Sequence, residues 1–404
     1  MTSDRPSRER PTVQPSDDSG QRTRATKARR TRSWAAVAVA VALVAGGAAL
    51  ALRPGGEDTK DPRAQQVRAP STPRFQARPG QSPPRELIAA GRVAVSGYYT
   101  TEVVKEANGD AVGTYRWSLY DAAAKQYRTT DWAWVDVAPG MRTAAVLERD
   151  LPVDRIGLLD MRTGKIRRWI EVDEKVGGVR FSPDGKRLVA TTYSRNPDGL
   201  FKDASYRLNG KKVPGPKPSR TGFHVIDVET GTARFAALPP RKDQPGAFAG
   251  AGRHDLAWSS DGRLLWEPAA NKTGKAYYDE HAKASPVPGR EASLPLGGGV
   301  LSPDGAHMTG DFAGEDGKIT SEVLDARTGK RSALVPAQQL LAWADDSHLI
   351  AWRCDPDRCE PGKGEFRNQL LLVGLHGEKP IPLSGFRQPK LRDKDRWNPV
   401  LTER

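Results

Sequence analysis

The feature that most restricts what this chain can become is a turn that keeps returning. From Val179 to Ser194 the sequence reads VRFSPDGKRLVATTYS: an alternating apolar run, Ser-Pro-Asp-Gly, then a second alternating run. Proline presets φ at the second turn position, the aspartate side chain accepts from nearby backbone amides, and glycine takes a left-handed conformation without strain. Such a turn fixes hairpin register, so alternate residues of both strands share a face. Val179 and Phe181 are therefore expected on one face, with Leu188 and Ala190 as their partners across the turn. Variants stand at 132–147, 254–267, 297–310 and 340–352, with turn-closing residues Gly140, Gly185, Gly262, Gly305 and Ser347. Three of the four spacings are 45, 43 and 42 residues, and the fourth, 77, contains an insertion.

A second hairpin motif, Asp-x-x-Thr-Gly, follows the first at 157–170, 224–238 and 322–335, and more loosely at 371–383. Two hairpins per period make a four-stranded antiparallel unit. Five such units can be counted, and residues 92–130 supply three more strands. Period, strand number and turn chemistry agree on a repeat architecture of the β-propeller kind. The predicted fold class is all-β, a propeller of about six four-stranded blades over residues 87–404, preceded by one transmembrane helix. A fourth strand from 384–404 should complete the odd blade, tying the chain ends together and removing free sheet edges. The W/F-S-P-D-G-K/R-L pattern, as in Phe181-Ser182-Pro183-Asp184-Gly185, resembles the WD40-like repeats of the family that includes TolB-type propellers. That resemblance runs over about 92–383 and implies a β-propeller, with no activity attached; the Ala/Arg/Gly/Pro-heavy composition suggests a high-GC bacterial source, and the membrane anchor is read separately from the apolar run before the repeats. Its pattern weakens at VAPGM, which lacks the Asp, and at ADDSH, which lacks Pro and Gly.

Before the repeats lies Trp34–Leu52, 19 residues without a charge. As a helix it would span about 28 Å, close to the hydrocarbon thickness of a bilayer. The flank before it is basic and the flank after it mixed, so the N-terminus is expected in the cytoplasm and the rest outside, at the cell membrane. Ala49-Leu50-Ala51 also fits a signal-peptidase site, but leader and apolar run are both long for a signal peptide, which favours a retained single-pass anchor. Residues 1–33, with nine Arg/Lys against four Asp/Glu and almost no apolar content, read as a disordered cytoplasmic tail. Residues 53–86 hold seven prolines and read as a Pro-rich linker.

The formal net charge is +14. Outside the tail that charge is dispersed, and helix-turn-helix, zinc-finger and RNP signatures are missing, so nucleic acid is not expected as a partner. The densest basic segment is the insertion at 194–221, with seven basic and two acidic residues. Long propeller insertions sit on one rim and often make contacts, so this one is expected to touch an anionic partner such as a wall polymer or lipid. Cys354 and Cys359 are the two cysteines, and outside the cytoplasm such a pair reads as a disulfide. A metal site using Asp355, Asp357 and Glu360 is the rival, but thiolates and carboxylates suit different ions.

No arrangement of catalytic residues stands out. The six histidines, His224, His254, His281, His307, His348 and His376, form no His-x-x-x-His or His-x-His pair and read as core or turn residues. SSDGRLLW at 259–266 places Gly262 one position too early for a sialidase Asp box and reads as another repeat turn. The turn aspartates Asp184, Asp261 and Asp304 recur once per unit, which argues against a single active site. YYDEH at 277–281 could hold a sugar or cation; a strand with an acidic edge is the simpler reading. The expectation is a non-enzymatic scaffold at the bacterial cell surface that binds protein or an anionic cell-envelope polymer and needs no cofactor or metal. A glycosidase-, lyase- or lactonase-type site at the channel mouth is the alternative.

Overall fold

The Ser-Pro-Asp-Gly hairpin closes through the serine as much as through the aspartate. The backbone amide of Ser182 donates to the Arg187 carbonyl, and the Arg187 amide donates to the Ser182 hydroxyl at 3.0 Å. That hydroxyl donates in turn to Asp184, which also accepts the Lys186 amide. Gly185 sits at φ 70°, the left-handed region that a side chain would strain. The same set of bonds recurs around Ser259 and Asp261 and around Ser302 and Asp304. All three serines are buried. Hydrogen bonds from Ser182 and the Lys186 amide hold Asp184 below the ordinary carboxylate value. Register follows as the spacing predicts: Leu188 faces Phe181 and Ala190 faces Val179, all four buried.

The computed structural model describes residues 72–404 apart from 209–210, 241–251, 270–273, 292–298, 315–317, 356–358, 360–365 and 390–394. The chain divides into units 1–66 and 67–404, and every described residue belongs to the second. The expected tail, the 34–52 helix and the spacer up to residue 71 lie outside the described residues. Among those described, no helix is long and apolar enough to cross a membrane.

The described unit is all-β; its strands form five antiparallel sheets, one of which, seven-stranded, runs through two blades, so that six blades can be followed. The first blade is Trp134–Val137, Thr143–Leu147, Val153–Asp160 and the start of the long strand Lys165–Phe181. The end of that long strand opens the second blade, with Arg187–Tyr193, Arg220–Asp227 and Ala233–Ala237. Ala257–Trp258, Leu265–Pro268, Lys275–Tyr278 and Ala284–Ser285 form the third. The fourth has a single bridge at Leu301 and then His307–Phe312, Ser321–Asp325 and Arg331–Val335. Gln339–Trp343, His348–Cys354, Asn368–Gly374 and Ile381–Phe386 make the fifth. The sixth joins both ends of the unit: C-terminal Asn398–Glu403 pairs with Val93–Lys105, followed by Ala111–Asp121 and Gln126–Thr130.

Packing begins before Leu87. Phe75–Gln76 pairs with Ala89–Ala90, the Arg78 amide donates to the Leu383 carbonyl, and Trp397 donates its indole N–H to Ser82. The last part of the 53–86 segment thus lies on the sixth and fifth blades. Trp397 is fully buried, and a chain passing over it shields that ring from water.

The core sits between blades. One buried cluster joins Trp117 of the sixth blade, Trp134 and Ile156 of the first, and Val179 and Leu188 of the second. Others join the second to the third, the fourth to the fifth, and the fifth to the sixth. Innermost tryptophans bind these seams: Trp134 donates to the Val179 carbonyl, Trp258 to Arg180 and Trp343 to Val300, at 3.3, 3.2 and 2.9 Å. Removing the buried Ser182 hydroxyl takes away the partner of the half-buried Arg187 amide and of Asp184, so Ser182→Ala is expected to cost about 1 kcal/mol in urea-unfolding stability. An unchanged unfolding midpoint would show that the turn does not depend on this serine.

Candidate functional site

One end of the propeller carries a feature that no blade needs. Apart from Lys165–Phe181, which two blades share, the strands Val93–Lys105 and Ala111–Asp121 are longer than the blade strands elsewhere, and their paired tips run past the sixth blade. The 194–221 insertion folds back as a second hairpin, Gly199–Leu208 with Lys211–Gly215. Gly199 pairs with Val112 and Leu200 with Ala111, so the two hairpins make one projecting four-stranded sheet. Val103, Val104 and Tyr206 stand 52, 47 and 40% exposed on it.

Part of the insertion's positive charge serves to hold this sheet together. Lys217 pairs with Asp203 and lies over the Phe201 ring at 5.0 Å. The Lys202 ammonium donates to the Asn108 carbonyl, and its backbone amide donates to Asp110. Lys211 and Lys212 remain exposed on the outer edge strand.

The sheet is anchored by a node around Arg253. Its guanidinium pairs with Asp198 at the root of the insertion, with Asp255 at 3.1 Å, and donates to the Gly177 carbonyl. It lies 3.9 Å from the Trp134 ring centroid and 5.8 Å from that of Tyr115. Tyr193 donates to Asp255 at 2.8 Å and accepts from the His254 amide. Burial works against the Arg253 charge, but Asp255 and Asp198 outweigh it and hold the group well above its ordinary value. Burial, then Asp255, pushes the Tyr193 hydroxyl well up, and burial, then Asp198, does the same to Tyr115. Gly178 leaves the space Asp255 needs, since a Cβ there would collide with its carboxylate.

A second ionic pair stands on the innermost strands. Arg180 donates to Asp136 at 3.1 Å, and Asp136 also accepts the Phe181 amide at 2.7 Å. Burial lifts Asp136 above the ordinary carboxylate range, against the pull of Arg180. For Arg180, burial is outweighed by Asp136 and Asp255, so the cation is held up. The Arg180 side chain nonetheless keeps 47% of its surface in contact with solvent. Tyr99 lies in the field of Arg180 and of the buried Arg387, although burial raises its hydroxyl overall.

Sequence candidates take structural places. Cys354 and Cys359 form a disulfide. His224 and His348 are buried, on the Glu174 carbonyl and the Asp345 carboxylate. In YYDEH, Tyr277 donates to Glu291, Tyr278 to Glu267, Asp279 caps its own turn, and Glu280 pairs with Arg187 and Arg234. Among the described residues no group of three or more His, Cys, Asp or Glu is placed to hold a metal ion. Arg253, Asp255, Asp198, Asp136 and Arg180 went unremarked in the sequence. A signal exists for Asp136, a charge inside the apolar run Trp134–Val137.

No family model matches the sequence, and no curated protein matches it. Solved structures to which the chain is similar include hydrazine synthase of Kuenenia stuttgartiensis, at 13% identity and TM-score 0.33, covering 62% of this chain and 65% of that one. TolB from Acinetobacter baumannii aligns at 15% identity and TM-score 0.37, over 76% and 66% of the two chains. The β-propeller domain of Cps50 (Swd1) from Myceliophteria thermophila aligns at 11% and 0.36, over 81% and 98%. The match spans just under two thirds of the hydrazine synthase and TolB chains.

Replacing Arg253 leaves Asp198 and Asp255 buried together without their cation, which costs about 3–5 kcal/mol for comparable pairs. Arg253→Ala is expected to free the 199–215 hairpin, read as faster amide hydrogen exchange there than in the fifth blade. Equal protection in variant and parent would show that the node does not hold the insertion.

Proposed function

We propose that this protein is a binding scaffold: a propeller held outside the cytoplasm by the 34–52 helix, engaging a protein or an anionic envelope polymer. Nucleic acid is not its partner, and it catalyses no reaction. The observation that carries this reading is the projecting sheet. Two hairpins from distant parts of the chain are strand-paired into one surface, and the root of the insertion is held to Arg253 through Asp198. Exposed Val103, Val104 and Tyr206 supply apolar contact area beside Lys211 and Lys212. A rigid ring presenting a projection suits recognition, because little ordering entropy is lost when the surface is preformed. The polar groups of the Arg253 node are engaged with one another, which suits a strut better than a reaction centre.

The test removes residues 200–214 with a short Gly-Ser bridge, keeping Asp198 for Arg253. Retention of the purified protein on isolated bacterial envelopes is then measured, with thermal unfolding as the folding check. Retention is expected to fall at least about tenfold, the scale of losing a few interface anchors. Unchanged retention by a folded variant would rule out this surface as the binding face.

A further inference from the structure

The first blade holds an open cleft of about 750 Å³ that neither the Arg253 node nor the projecting sheet fills. We propose that it binds a ring of a polysaccharide, an uncharged hexose-type unit with its C–H face on Trp132 and its hydroxyls on the surrounding charged groups. This rests on the polymer-binding form of the scaffold reading and adds that the polymer presents uncharged rings beside its anionic groups.

The lining has the two-sided chemistry that a sugar ring needs. Trp132 and Pro152 supply apolar surface, while Asp131, Asp154, Arg149 and Lys175 supply charged ends. Trp132 is half-buried, with its lower part on the first-blade core. It meets Trp169 at 6.2 Å with the rings tilted by 65°. Arg155 covers the face of Trp169 at 4.3 Å and pairs with Glu148, which takes that acid out of play. Among the described residues no cation lies over Trp132. Its aromatic face is left as a platform for an apolar surface, the role such rings fill where one side of a ligand is dry and the other wet.

The four remaining charges are two acids and two bases, and none is in an ion pair among the described residues. A sugar hydroxyl both donates and accepts, so a ring can donate to Asp131 and Asp154 while accepting from Arg149 and Lys175. A charged ring would leave one of the two pairs opposed by its own sign. Hydrogen bonds to ionised groups are the stronger kind, which compensates for the weak hold of an open cleft.

The cleft does not end at one ring. Arg149 also lines a neighbouring hollow of about 380 Å³ with Thr100, Thr114 and Tyr115, beneath the projecting hairpin. A third hollow, of about 280 Å³, shares Arg149 and Tyr115. Recesses joined at one arginine suit a chain of rings rather than a lone monosaccharide.

The experiment titrates the purified full-length protein with maltohexaose, cellohexaose and hexa-N-acetylchitohexaose by isothermal calorimetry. At least one is expected to bind with a Kd at or below about 1 mM, the weak limit for a useful single site. Trp132→Ala is expected to abolish that binding, and Asp131→Asn and Asp154→Asn each to weaken it at least about tenfold, the scale of one charge-assisted hydrogen bond. The two asparagine variants alter exposed side chains, so they keep the test decisive if Trp132→Ala does not fold. No heat from any of the three saccharides, or binding that survives all the variants, overturns the proposal. Envelope retention by the same variants separates the two readings. Lost saccharide binding with retained envelope binding locates the scaffold's contact elsewhere, whereas saccharide binding by a protein that no envelope retains removes the scaffold reading and leaves the cleft.

Discussion

No blade of this protein can hide its own apolar face, and everything else in the molecule answers to that. A four-stranded sheet of this size has two faces and little to cover them. The buried clusters accordingly straddle seams: Trp117 with Trp134 and Val179, Trp352 with Val95, Phe223 with Trp258. Innermost tryptophans add direction to this burial, because each indole N–H needs a partner and finds a carbonyl on the neighbouring blade. A ring is the arrangement in which each seam is covered from both sides. Closing it by pairing Asn398–Glu403 with Val93–Tyr99 leaves no innermost strand of the sixth blade missing.

The parts of the fold that were legible in the sequence are those set by local chemistry. Ser-Pro-Asp-Gly dictates one turn whatever surrounds it, and its spacing exposed the repeat. The pairing of Leu188 with Phe181 followed from alternation alone. The closing strand was expected from 384–404, although Trp397–Arg404 has little alternation; its place is set by what is missing in the ring rather than by its own residues. The seam tryptophans were visible as letters, but their partners lie 43 to 78 positions away on other blades, and no local pattern encodes that distance.

The site was less legible for the same reason. Arg253 meets Asp198 across 55 positions and Gly177 across 76, and such contacts exist only once the blades are stacked. The basic insertion stood out by composition, and composition invited a purely electrostatic reading. In the structure Lys202 ties the hairpin to Asn108 at the tip of the sixth-blade strands, and Lys217 pairs with Asp203 inside the insertion, so part of that charge is structural. The cleft at Trp132 draws on residues 131–132, 148–154 and 175, three short stretches that carry no motif together.

Ring closure by the C-terminal strand is tested most directly by urea unfolding of the full-length protein and of a form ending at residue 397, followed by tryptophan fluorescence. Opening the ring exposes the seams on both sides of the sixth blade, so the shortened form should lose the single cooperative transition or unfold at far lower urea. If both forms unfold together at the same midpoint, the blades do not depend on a closed ring.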